Sequence, residues 1–154
     1  MKNYLVEVVH DQTPNKVYTF RATSRLKVGE LTVCRTRFGY TYGIVTGTKK
    51  TSYKEAKRYN GVASKANKHM FNKLSAYDRA VIVYKNTEDV AAAIREFTFA
   101  DTRAAMAFCY NEIGASYVNV NNEDGDTVIN IYEDTYNESG AWDGLVLSKS
   151  FCLG

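Results

Sequence analysis

Arg35 and Arg37 flank Phe38, Tyr40 and Tyr42, and Lys49, Lys50, Lys54, Lys57 and Arg58 follow with Tyr53 and Tyr59 interleaved. Cations that hold phosphates and rings that stack on bases are what a single-stranded nucleic-acid groove requires. A tyrosine-filled barrel with solubilising lysines would produce the same composition. Of these, Arg35, Arg37, Tyr40, Tyr42, Lys49, Lys50, Lys54, Lys57 and Arg58 are the candidate nucleic-acid contacts.

Catalysis finds no comparable set. The two histidines, His10 and His69, have no Cys, His or carboxylate neighbour at ligand spacing, and a zinc site needs about four such groups. Cys34, Cys109 and Cys152 are odd in number and far apart, which fits free thiols in a reducing compartment. Cys34, beside Arg35, is the thiol with some expected reactivity, whereas Cys109 falls on an apolar helix face. Asn122-Glu123-Asp124-Gly125-Asp126 is superficially like a calcium loop. Aligning Gly125 with the loop's invariant glycine puts Val120 at the first ligand position, so a polar hairpin tip is the better reading. No phosphate-binding loop, nucleophile elbow or zinc-protease motif occurs. The expectation is a non-enzymatic protein with no catalytic residue, metal or cofactor.

A second cluster is acidic. Glu133, Asp134, Glu138 and Asp143 surround Tyr136 and Trp142 and could meet a divalent ion, a basic protein surface or only water. These six are the candidate partner-binding residues.

The elements that must position both clusters follow from patterning. Asn3–His10 is strand-like, Asp11–Asn15 a loop around Pro14, and Val17–Arg21 a second strand. Leu31–Cys34 alternates as a half-buried strand, Gly39 turns a hairpin, and Gly43 interrupts the return as a bulge or a close backbone approach. A small barrel over residues 1–48 results. Residues 49–75 carry eight lysines and arginines against Glu55 and form a basic connector. It holds a short helix capped by Ser52 and ended by Asn60-Gly61, and a second short helix capped by Ser64 and running to Lys73, or else is mobile. Residues 76–154 form an acidic α+β domain. Ala80–Tyr84 is expected as a central strand and Phe97–Phe99 as a short one. Asn86-Thr87-Glu88-Asp89 reads as a cap followed by acidic first-turn residues of a helix that turns Val90, Ala91 and Ile94 inward, and Asp101 caps another helix running to Ile113. On the latter, Met106, Cys109, Tyr110 and Ile113 share a face. Ser116–Asn121 and Thr127–Glu133 pair across Asp124-Gly125, and Leu145–Phe151 adds a last strand. The predicted fold class is therefore α+β, a small β-barrel followed by a two-layer α+β domain.

Val28-Gly29, Leu31, Val33, Gly39, Gly43 and Val45 follow a V-G-x-x-V-x-V then G-x-x-x-G-x-V pattern that resembles small SH3-like barrels. With Val17-Tyr18-Thr19-Phe20 upstream, residues 1–48 look most like the amino-terminal 3′-end-binding domain of the primosomal DNA helicase, and short bacteriophage accessory proteins carry similar stretches. Ribosomal and elongation-factor barrels satisfy the same glycines. The helicase resemblance implies a nucleic-acid end-binding role, without an end-binding pocket that can be matched residue by residue.

Charge sharpens the picture. Residues 1–75 hold fifteen Lys or Arg against four Asp or Glu, a formal +11, and residues 76–154 hold five against thirteen, a formal −8. A basic half points to a polyanion, unless the two halves simply attract each other. The expected partners are thus DNA or RNA, or a host nucleic-acid-processing protein. In the second case the acidic domain of a phage-like protein would inhibit a host defence complex by protein contact, in an anti-restriction or anti-CRISPR manner. No apolar run approaches the ~20 residues of a membrane span and no leader pattern opens the chain, so a cytoplasmic site in a bacterial host is the expectation.

Overall fold

The computed structural model describes residues 2–154, which divide into two compact units, residues 2–75 and 76–154. The fold class is mixed α+β.

The first unit is a closed barrel of strands β1 (Asn3–His10), β2 (Thr13–Ala22), β3 (Leu31–Thr36), β4 (Gly39–Thr51) and β5 (Val62–Lys65), in the order β1-β2-β5-β3-β4. Alternation turns Tyr4, Val6, Val8, Phe20, Ala22, Cys34, Val45 and Ala63 into one core, with Leu26 added from the loop before β3. β4 closes the barrel because it is long enough to pair twice. Its first half runs antiparallel to β3 from Gly39 to Ile44, and its second half runs antiparallel to β1 from Ile44 to Thr51. Between the pairs Glu7–Gly47 and Val8–Val45 the strand carries an extra residue, Thr46, the bulge that lets it bend. Gly43 meets the close-approach expectation: a Cβ there would strike the Val8 side chain and come within 2.8 Å of the Val9 carbonyl. Gly29, at φ +90°, makes the turn into β3 and donates to the Val45 carbonyl at 2.7 Å.

Residues 49–75 are not a connector. β4 extends to Thr51, and β5 completes the barrel by pairing antiparallel with β3 and parallel with β2, Arg21 N–H donating to the Gly61 carbonyl at 3.0 Å. The expectation failed because only Val62 and Ala63 mark β5 as apolar within a lysine-rich stretch, too short a run to register as a strand. α1 (Tyr53–Ala56) opens as expected, with Ser52 Oγ accepting from Glu55 N–H. Ser64 lies within β5, and α2 (Lys68–Phe71) is capped by Asn67 instead. β2 begins at Thr13, so the first loop is shorter than Asp11–Asn15.

In the second unit, Ala80–Tyr84 is not a strand but the middle of helix α3 (Ala76–Thr87), with Ala80, Val81 and Ile82 buried. β-branched content favoured a strand there, and packing overrode it. α4 (Val90–Ile94) is capped by Asp89, not preceded by a cap upstream of it: Asn86 and Thr87 end α3, and Asp89 Oδ1 accepts from Ala91 N–H and Ala92 N–H. Phe97–Phe99 is not extended: Thr98 and Asp101 form a capping box around a 3₁₀ turn, Phe99–Asp101, so the Asp101 side chain accepts from Thr98 N–H and makes no cap bond to α5 (Thr102–Phe108). A π-helical turn, Cys109–Ile113, then ends at Gly114 with φ +78°. That widened turn shifts the buried face to Ala105, Phe108 and Cys109, leaving Tyr110 exposed. Phe108 is the hub of the helical core, with the rings of Tyr77, Tyr84 and Phe97 at 6.2, 6.0 and 5.7 Å. β6 (Tyr117–Glu123), β7 (Asp126–Tyr136) and β8 (Trp142–Leu153) form an antiparallel sheet, and Asp124 and Gly125, at φ +50° and +85°, turn the first hairpin. No helix is long and apolar enough to cross a membrane among the described residues.

Candidate nucleic-acid interface

The β3–β4 hairpin carries the first group. β3 turns Cys34 inward and Arg35 outward, where Arg35 lies opposite Tyr40 on β4 and Val62 on β5. At the tip, the Arg37 guanidinium stands 4.7 Å above the Phe38 ring, which is 87% exposed. Thr36 Oγ1 braces the turn, accepting from Phe38 N–H and donating to the Gly39 carbonyl. Tyr42 is held rather than free: its hydroxyl donates to Asp11 at 3.0 Å, and its carbonyl accepts from His10 Nδ1 at 2.7 Å.

Lys49 and Lys50 lie at the other end of β4, opposite Leu5 and Tyr4 of β1. From Tyr42 to Lys49 the strand covers about 23 Å, so the two groups form separate patches. Lys2 and Arg25 join Lys49 and Lys50 around a groove of about 290 Å³, and Lys49 also borders a second hollow of about 320 Å³ with Leu5, Glu7 and Tyr59. On and after α1, Lys57 Nζ lies 6.0 Å from the Tyr53 ring, and Arg58 makes an exposed ion pair with Glu55 at 3.4 Å. Arg35, Arg37, Lys49, Lys50, Lys54 and Lys57 form no ion pair with any of the described residues.

Sequence reasoning missed a third feature. A pocket of about 400 Å³ at one end of the barrel is lined by His10, Tyr18, Phe20, Arg37, Phe38 and Asn60, among others. The His10 ring lies 5.2 Å from Tyr18 and edge-on to Phe20 at 6.0 Å. Gly61 keeps the floor in place, since a Cβ there would come within 2.5 Å of the Phe20 ring. The missing signal was distance along the chain: these residues come from β1, β2, the hairpin tip and the segment just before β5. Only the aromatic content of Tyr18, Phe20 and Phe38 could have marked it.

The acidic candidates come together on the β7–β8 hairpin. Glu133, Asp134 and Tyr136 lie on β7, Glu138 in the turn, and Trp142 and Asp143 on β8, with Tyr136 paired opposite Trp142. Asp134 is a structural acceptor: Trp142 Nε1 donates to Oδ1 at 3.0 Å and Ser116 Oγ to Oδ2 at 2.9 Å. Tyr136 and Trp142 are exposed, as are Leu145, Val146 and Leu147. Among the described residues, no three His, Cys, Asp or Glu side chains are placed to hold a metal ion.

Cys34 lacks the reactivity expected of it. It faces the barrel core, where burial pushes its thiol up to about 12 against a smaller opposing effect of a Thr32 hydrogen bond. Burial likewise raises Cys109, to about 11, and only Cys152 is exposed. No protein-family model, curated protein or solved structure matches the chain.

Proposed function

We propose that the basic barrel unit binds nucleic acid without catalysing a reaction, and that the protein is a bacteriophage-type accessory factor acting on nucleic acid or on a nucleoprotein machine. One observation carries this reading: six outward cations, Arg35, Arg37, Lys49, Lys50, Lys54 and Lys57, have no carboxylate partner among the described residues, in a unit of formal charge +11. Cations left unpaired are free to displace counterions from a phosphate backbone, and nearby rings add sequence-tolerant stacking. The barrel's likeness to SH3-like folds is part of the same proposal and rests on the glycine pattern together with the closed five-strand topology.

Titrating the intact protein into labelled single- and double-stranded DNA and RNA at low salt tests it. Binding with little sequence preference is expected. Failure to bind all four would end this reading.

A second reading is favoured by the gathering of Glu133, Glu138 and Asp143 beside exposed Tyr136 and Trp142. A hairpin with carboxylates around aromatic anchors suits a basic channel of a host nucleic-acid-targeting complex, an anti-restriction or anti-CRISPR-like inhibition. Protection of phage DNA in restricting cells, lost on reversing Glu133, Glu138 and Asp143 to lysine, would support it. Unchanged protection by that variant would remove the hairpin from consideration.

A further inference from the structure

We propose that the pocket at the barrel end holds one unpaired nucleobase, with its adjoining phosphate at Arg37. The inference deepens the nucleic-acid reading and rests on it for the source of the base, since a free nucleotide offers the same chemistry.

The walls select for a flat ring. His10, Tyr18, Phe20 and Phe38 border about 400 Å³ of space, and Phe38 is 87% exposed at the hairpin tip, where it packs on little besides Arg37. A ring left in water at a turn has no folding role that its surroundings explain, and it offers a stacking surface.

The polar groups select for a hydrogen-bonding edge. A carbonyl oxygen only accepts, so the 2.7 Å contact to Tyr42 fixes the hydrogen of His10 on Nδ1. In the neutral ring Nε2 is then an acceptor, suited to an amino or imino hydrogen of a base. The Asn60 amide supplies both a donor and an acceptor. Among the described residues no Asp or Glu lines the pocket, and Arg37 brings a fixed positive charge to it. An aromatic ring with hydrogen-bonding edges and an attached anion satisfies all of these groups. An aromatic peptide side chain satisfies only the rings. A base within a duplex cannot reach the pocket without unpairing, so single strands are preferred.

The test compares two single-stranded oligonucleotides of equal length, one with bases and one wholly abasic, because both carry the same phosphates. The intact protein should bind the base-bearing strand about tenfold or more tightly. Phe38→Ala should abolish most of that preference while leaving the salt dependence unchanged, and its exposure makes the fold indifferent to it. Equal affinity for both strands overturns the pocket but leaves binding by charge standing. A parallel NMR titration uses adenosine monophosphate and a phenylalanine-containing tripeptide amide. If no strand binds but the mononucleotide shifts His10, Tyr18 and Phe38, the pocket stands with a free nucleotide as its ligand and the strand-binding reading falls. Shifts caused by the peptide alone, or by neither ligand alongside no base preference, overturn the proposal.

Discussion

The Nδ1 of His10 donates across 2.7 Å to the main-chain carbonyl of Tyr42, tying the last residue of β1 to a strand that begins 29 positions later. The bond lies where β1 and β4 part, beyond their last register pair, Val9 with Ile44. It orients a ring that also packs on Tyr18 and Phe20. His10→Ala should therefore cost about 1 kcal/mol from the lost hydrogen bond, together with some packing. Urea denaturation measures that loss. His10→Asn, whose amide can imitate Nδ1–H, should recover part of the stability but not the Nε2 acceptor. A stability loss equal for both variants would show that the bond contributes nothing.

β5 lies within the lysine-rich stretch, and this decides where the first unit can be cut. A fragment of residues 1–75 keeps all five strands and should unfold cooperatively on heating. One of residues 1–51 loses the strand that fills the gap between β2 and β3, exposes both edges, and should aggregate or fail to melt cooperatively. Equal behaviour of the two fragments would contradict the closed barrel.

The thiols give a pH signature. Cys34 and Cys109 ionise in the folded state only near 12 and 11, whereas an ordinary thiol ionises near 9.0. Below about 9 both states bind the proton and nothing is lost. As pH rises from there toward the folded values, only the unfolded state releases it, so stability falls. The thiols should add no slope to the denaturation midpoint below pH 9 and lower it above, the drop shrinking in Cys34→Ala. At pH 8 a thiol reagent should label Cys152 quickly, and the other two only after unfolding.

Trp142 is the sole tryptophan, which makes its fluorescence a direct report on the acidic hairpin. Asp134→Ala removes the acceptor for Trp142 Nε1 and for Ser116 Oγ. The emission should shift and stability should fall by about 1 kcal/mol. The neighbouring Glu133 carboxylate accepts neither of those bonds, so Glu133→Ala should leave both unchanged. Charge-reversal experiments on this hairpin should for the same reason spare Asp134.

Much of the framework was legible because local chemistry and packing agree. β1, the Gly39 and Asp124-Gly125 hairpins and the Ser52 cap each follow from a few neighbouring residues. Ala80–Tyr84 misled because a buried helix and a buried strand share an unbroken apolar run, and the arbiter was contact with Phe108, far along the chain. The basic candidates were legible as residue types but not as a grouping. Nothing in the spacing separates Arg37 from Lys49 into patches at opposite ends of β4, or recruits Lys2 and Arg25 to Lys49 and Lys50. The aromatic pocket depends on four distant segments meeting, which only the closed barrel supplies.

The most direct test of the central claim is the salt dependence of single-strand binding by the intact protein and by Lys49→Gln/Lys50→Gln. If about four phosphates are neutralised, the logarithm of the association constant should fall with the logarithm of salt concentration at a slope of about −3. Raising salt fourfold would then weaken binding roughly 50-fold. The double variant should bind more weakly at low salt, with a slope shallower by about 1 to 2. A slope near zero, or an unchanged slope in the variant, would contradict binding through these cations.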